Sequence, residues 1–242
     1  MGLTAYLNHT PSKLSFFAWN INGLSSKSLS DKLQNVDCLR VINGYDFVIL
    51  SETWSEPNIE VAGYRSVVTG TSKTAKSGRN SVGLALIYKN EFYDWISVEK
   101  ASPNFLWYKI SKNYTKTTKD IFVCREVALT FRPIVLITFT LNCDIENYSS
   151  LGSVLLMGDL NSRRGKYPDS VFQEESNIIT NDQSEYALSF DQRNSFDNEL
   201  NNHGKRLLEI CRSADLRILN GRLSGDSLGR ATFHGRNGKK RR

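Results

Sequence analysis

Three short apolar runs each end on a carboxylate or a carboxamide. The segments LSFFAWNIN (residues 14–22), YDFVILSETW (45–54) and GSVLLMGDLN (152–161) read as strands buried on both faces. Side chains alternate along a strand, so Asn20 and Asn22 are expected to share a face, as are Asp159 and Asn161, while Glu52 emerges where its run ends. Burying any such group without a partner is costly, and their recurrence at strand ends points to a shared polar cleft. Oxygen donors without a Cys or His cluster suit a hard divalent cation such as magnesium. In a chain of net charge +6 the usual companion of that cation is a phosphate. The plainer reading is that Asp159 and Asn161 only make a turn and that Asn20 and Asn22 cap the segments after them.

Between the first two strands, LSDKLQNVDCLRVINGYD carries Leu29, Leu33, Val36, Leu39 and Ile42 at helical spacing. Ser28 is the expected N-cap and Gly44 the stop, so the chain opens strand, helix, strand. SVGLALIYKN, NFLWYKIS and KDIFVC are further strands, and the apolar, β-branched RPIVLITFTL is expected to insert as another. The polar stretch from about Ser162 to Asn194 reads as a loop excursion. SFDNELNNHGKRLLEICRSADLRILNG predicts a helix with Leu200, Leu207, Leu208, Cys211 and Ala214 on or near one face, then a strand at LRILNG. Strands outnumber helices and polar turns join several of them directly, which suggests mixed sheets with helices outside.

With 242 residues, 40% of them apolar, the chain can bury a sizeable core and is expected to form one globular domain. No run of about 18 apolar residues is present to span a bilayer, and the N-terminus lacks the pattern of a signal peptide. An intracellular protein with no membrane partner is therefore expected, and a nuclear one is compatible with the basic end. Cys38, Cys124, Cys143 and Cys211 show no C-x-x-C spacing and are expected to be buried free thiols. Part of the positive charge lies in the terminal GRNGKKRR, which suits either a nucleic-acid or nuclear-import patch or a solvated end.

FFAWNINGL, DFVILSETW and VLLMGDLNSR, in this order, resemble the successive motifs of the endonuclease/exonuclease/phosphatase superfamily. The similarity is strongest to the apurinic-like endonuclease domain of non-LTR (LINE-type) retrotransposons, and SADLRILNGRLSGDSLGRATFHGRNG resembles the segment before that domain's last motifs. It covers most of residues 14–238 and leaves 1–13 and 239–242 as tails. The resemblance implies a DNase I-like four-layer α/β sandwich, two packed mixed β-sheets flanked by helices. It also implies magnesium-dependent phosphodiester hydrolysis, with manganese as the alternative ion, DNA as partner and no small-molecule cofactor. Residue by residue, Glu52 matches the family's metal ligand and Asn20 the asparagine that organises the metal and phosphate site. Asp159 matches the aspartate that orients or deprotonates water, and Asn161 the asparagine that binds phosphate. Asn22 stands where some members carry an aspartate near the metal, Phe233 matches an aromatic near the nucleic-acid face, and Arg163 is expected at the substrate. Phe233 and Trp54 also read as core aromatics.

The chain departs from the family in two places. Complete members continue past TFHGRNG with a strand carrying an aspartate and then an Asp-His pair, so a domain lacking its C-terminal strands is expected; His234 lies before that point. Where the family has a tyrosine-bearing strand, a proline-containing loop and a helix, this chain reads REVALTFRPIVLITFTLNC, with no tyrosine from Arg125 to Cys143, as though frameshifted or mis-spliced. Two alternatives therefore stand beside the endonuclease: an inactive remnant that at most binds nucleic acid, and another phosphodiesterase acting on a phosphoinositide or an RNA.

Overall fold

The longest apolar runs become the central strands of two mixed sheets. The structure, a computed structural model, describes residues 3–7, 14–24, 32–54, 59–69, 83–102, 104–126, 134–158, 160–170, 193–222, 226, 228 and 229. Strands β1 (Leu3–Leu7), β2 (Leu14–Asn20), β3 (Phe47–Ser51), β4 (Tyr64–Val68) and β5 (Leu84–Lys89) form one sheet in the order β1-β2-β3-β5-β4. Within it β2 and β3 are parallel and the other neighbours antiparallel. Strands β6 (Ile96–Ala101), β7 (Phe105–Ile110), β8 (Asp120–Glu126) and β9 (Gly152–Gly158) form the second, with β8 and β9 parallel.

Alternation along the strands builds the layers. Phe16 of β2 and Phe47 and Ile49 of β3 point between the sheets, where they join Leu106 and Tyr108 of β7, Val123 of β8 and Met157 of β9. Their neighbours Val48 and Leu50 point the other way and pack with Ile42 of helix α1 (Val36–Asn43). The one-turn helix α2 (Lys112–Thr115), capped by the Ser111 hydroxyl, leads from β7 towards β8. Trp107 and Phe122, on the outer face of the second sheet, meet Tyr148 of helix α3 (Ile134–Leu151) at ring separations of 4.6 and 4.8 Å. The order is therefore helix, sheet, sheet, helix, the α/β sandwich that the motifs imply.

Five expectations are corrected. RPIVLITFTL is no strand: the described part of it begins α3 at Ile134. Parallel neighbours such as β8 and β9 need a crossover connection, and Ile137, Leu141, Ile145 and Tyr148, at helical spacing, are the buried positions. Helix α1 starts at Asn35, whose side chain accepts from the Asp37 and Cys38 amides, whereas Ser28 lies outside the described residues. Leu3–Leu7, expected within a tail, pairs antiparallel with β2. LRILNG forms no strand among the described residues, because the Ile218 amide donates to the Asp169 carboxylate at 2.6 Å instead of to a neighbouring strand. Cys143 is exposed, unlike the buried Cys124 and Cys211.

The chain divides into two compact units: Met1–Ile137 with Cys143–Leu160, which holds both sheets, and Thr138–Asn142 with Asn161–Arg242, which holds helix α4 (Asn202–Ser213). In the second unit Leu207, Leu208, Ile210 and Cys211 form the buried stripe of α4. No helix among the described residues is long and apolar enough to cross a membrane.

Candidate active site

Strands β2 and β3 run parallel and stop together, with Asn20 opposite Ser51. Beyond the strands the two segments stay bonded: Ile21 N–H donates to Ser51 O at 3.0 Å, Gly23 N–H to Glu52 O at 2.7 Å and Leu24 N–H to Thr53 O at 2.9 Å. Neither segment stays extended. Asn22, Glu52 and Trp54 take φ values of 52°, 54° and 52°. A left-handed non-glycine residue costs about 1 kcal/mol or more, so three in two adjacent segments concentrate strain at one strand end, as functional sites do.

Gly23, at φ 85°, lies under the Trp54 indole, where an added Cβ would come within 2.4 Å of Cε3. Gly23→Ala is expected to destabilise the protein by about 1–3 kcal/mol, through a disfavoured backbone and a displaced indole. Urea unfolding followed by tryptophan fluorescence measures this; a loss under about 0.5 kcal/mol would mean that the turn adapts freely.

Of the expected site residues, Asn20 and Glu52 are brought into contact: Asn20 Nδ2 donates to Glu52 Oε1 at 2.9 Å. Asn20 Oδ1 accepts the Asn22 amide at 3.2 Å, so the carboxamide is fixed at both ends and aims the half-exposed carboxylate. Glu52 Oε2 has no partner among the described residues. Asn22 corrects the alternation argument. The strand ends at Asn20, and Asn22, two residues beyond it, is exposed.

Behind Glu52 lies a pairing that motif comparison did not indicate. Ser51 Oγ accepts from Arg125 Nη2 at 2.6 Å, and both residues are buried, at 3% and 1% exposure. The signal in the sequence was alternation: Ile121, Val123 and Arg125 share the face of β8 that points between the sheets. The Thr53 and Tyr108 hydroxyls are also buried, without hydrogen-bond partners among the described residues. Burial, and to a lesser degree Cys124, push the Tyr108 phenol well up, with Arg125 opposing, so Tyr108 remains protonated.

Strand β9 ends at Gly158, in register with Glu126 of β8. Asp159, which follows, lies outside the described residues, as do Phe233 and His234.

In the second unit Asn161 sits at φ 46° and its carbonyl accepts from Asn201 Nδ2 at 3.0 Å. Asn201 is the N-cap of α4; its Oδ1 accepts from the Gly204 amide at 2.7 Å and the Arg163 amide at 3.1 Å. A Cβ at Gly204 would fall 1.9 Å from Arg163 O, so only glycine allows this approach. Arg163, expected at the substrate, is engaged by acids of its own unit: Nε and Nη2 donate to Asp197 at 2.9 and 2.8 Å, and Nη1 pairs with Glu199. The hydrogen bond to Arg163 holds the Asp197 carboxyl below its usual value despite partial burial, and it raises the guanidinium in turn.

Among the described residues no three of His, Cys, Asp and Glu gather. The side chain in contact with Glu52 is the Asn20 carboxamide, so the site offers oxygen chemistry with one carboxylate. That fits magnesium, which typically binds through one or two carboxylates and keeps several waters.

The model of the Endonuclease/Exonuclease/phosphatase family matches residues 17–207. No curated protein matches the sequence significantly. Among solved structures the chain is similar to the endonuclease domain of TRAS1, a telomere-specific non-LTR retrotransposon, at 10% identity and a TM-score of 0.44, over 81% of this chain and 68% of that one. It is similar to an AP endonuclease from Archaeoglobus fulgidus at 16% identity and a TM-score of 0.42, over 81% and 69%. It is also similar to the human Nocturnin catalytic domain with bound sulfate anion, at 12% identity and a TM-score of 0.41, over 66% and 68%.

Proposed function

The chain belongs to the Endonuclease/Exonuclease/phosphatase family, whose members are hydrolytic nucleases and phosphodiesterases, and from that premise we propose that it is a magnesium-dependent endonuclease that nicks DNA. The observation that supports this best is the Glu52 carboxylate, half-exposed on a strained turn and aimed by Asn20 at the carboxyl ends of two parallel strands. Glu52 holds the metal ion, with manganese an acceptable substitute, and Asn20 keeps the carboxylate oriented. The ion, when bound, neutralises charge developing on the phosphate. Asp159 keeps the role that its motif implies, orienting or deprotonating the attacking water. The net charge of +6 favours a polyanion as substrate.

The test is a nicking assay on supercoiled plasmid with magnesium, with manganese, and after chelation by EDTA. The expected result is relaxed circles with either ion and none in EDTA. A chain that never nicks but binds DNA in a salt-sensitive way would be the inactive remnant. Hydrolysis of inositol phosphates or an RNA tail, with DNA untouched, would redirect the function within the family.

A further inference from the structure

Among the described residues of the sheet-bearing unit, Arg125 is the only buried cation. It lies on the inner face of β8, in line with Ile121 and Val123. A guanidinium inside an apolar sandwich is weak evidence for stability, since well-packed apolar side chains in place of buried charges are often neutral or stabilising. Its position suggests what it is for. Arg125 Nη2 donates to Ser51 Oγ, and Ser51 is the last residue of β3, directly before Glu52. Ser51 is held at its other end as well, where its carbonyl accepts the Ile21 amide. The backbone then enters the left-handed turn at Glu52, whose own carbonyl accepts the Gly23 amide. One guanidinium in the second sheet thus fixes the point in the first sheet from which the site turn springs.

We infer that Arg125 is a positioning residue for Glu52. Acting through Ser51, it holds the end of β3 so that the left-handed turn persists and the Glu52 carboxylate keeps its bond to Asn20. The inference rests on the reading of Glu52 as the metal-holding group. Arginine suits the task better than lysine because its planar fork loses less freedom on forming a fixed bond.

Three variants test it. Ser51→Ala removes only the acceptor, Arg125→Met keeps an apolar stem without the charge, and Arg125→Lys keeps the charge without the fork. The first readout is amide hydrogen exchange at Gly23 and Leu24, whose acceptors are the Glu52 and Thr53 carbonyls. Protection of both amides is expected to fall about tenfold or more in Ser51→Ala and Arg125→Met, while Trp19, inside β2, changes by less than about twofold. The second readout is nicking: kcat is expected to fall about ten- to a hundredfold with KM for DNA nearly unchanged, and Arg125→Lys to lie between. Unchanged protection at Gly23 and Leu24 overturns the inference whether or not the wild type cuts DNA. Lost protection with wild-type kcat also overturns it, by showing that the clamp does not serve the reaction. A wild type that cuts no DNA overturns the endonuclease reading instead, and the exchange result then decides the clamp alone.

Discussion

Glu52→Ala is expected to lower magnesium-dependent nicking about a thousandfold, because it removes the only carboxylate among the described residues at the carboxyl ends of β2 and β3. Glu52→Gln is the sharper variant. Its side-chain oxygen can still accept from Asn20 Nδ2, so the geometry at 2.9 Å survives while the negative charge does not. A neutral amide binds a hard cation more weakly, so this variant should lose nearly as much activity as Glu52→Ala and need far more magnesium to recover it. Asn20→Ala should cost less, about ten- to a hundredfold, since the carboxylate remains but is no longer aimed. Initial rates over a magnesium titration separate the three. If Glu52→Gln retained activity within about threefold of wild type, charge at Glu52 would not matter and the site would lie elsewhere.

Much of the sandwich was legible because its central strands are apolar on both faces. FVILS is buried at every position, and LALIYK and FLWYKI nearly so, which leaves little else for such short runs to be. The same logic failed for IVLITFTL. A run rich in Ile and Thr reads as a strand until the parallel pairing of β8 with β9 demands a crossover between them, and that demand lies outside the segment itself. LRILNG was misread for a related reason: a distant carboxylate, Asp169, takes the amide that a neighbouring strand would have taken. At the site, Asn20 and Glu52 were legible from their places at the ends of apolar runs. The left-handed turn was not, because Asn22, Glu52 and Trp54 carry no glycine signal for it. Arg125 was missed because a charge near the end of a strand ordinarily marks the exit to water, whereas this one points inward to Ser51. The ion pairs of Arg163 were not legible because its acidic partners, Asp197 and Glu199, lie more than thirty residues away in sequence.

Asp169→Asn is expected to destabilise the second unit by about 3–5 kcal/mol, the usual cost of removing one member of a buried ion pair. Asp169 and Arg222 are only 1% and 2% exposed at their side chains and form a bidentate pair, with both oxygens 2.7 Å from guanidinium nitrogens. The same carboxylate accepts the Ile218 amide, and Arg222 Nη1 donates back to the Ile218 carbonyl, so the pair also replaces the strand hydrogen bonds that this segment lacks. Burial alone would push the Asp169 carboxyl up, but Arg222 and the Ile218 N–H together hold it below its usual value. A folded-state pKa below the unfolded one stabilises fully above the unfolded value, near 4, and the contribution is lost as pH falls from there through the folded value. Wild-type protection of the Ile218 amide from exchange should therefore decline below about pH 4, whereas Asp169→Asn should start low at pH 7 and lack that carboxylate-linked step. A change under about 1 kcal/mol at pH 7 would mean that the pair behaves like a screened surface contact. Replacing both partners, as Asp169→Leu with Arg222→Met, should recover part of the loss but not all. Removing two buried charges together avoids the unpaired guanidinium, yet the Ile218 N–H and carbonyl are left without partners at about 1–3 kcal/mol each.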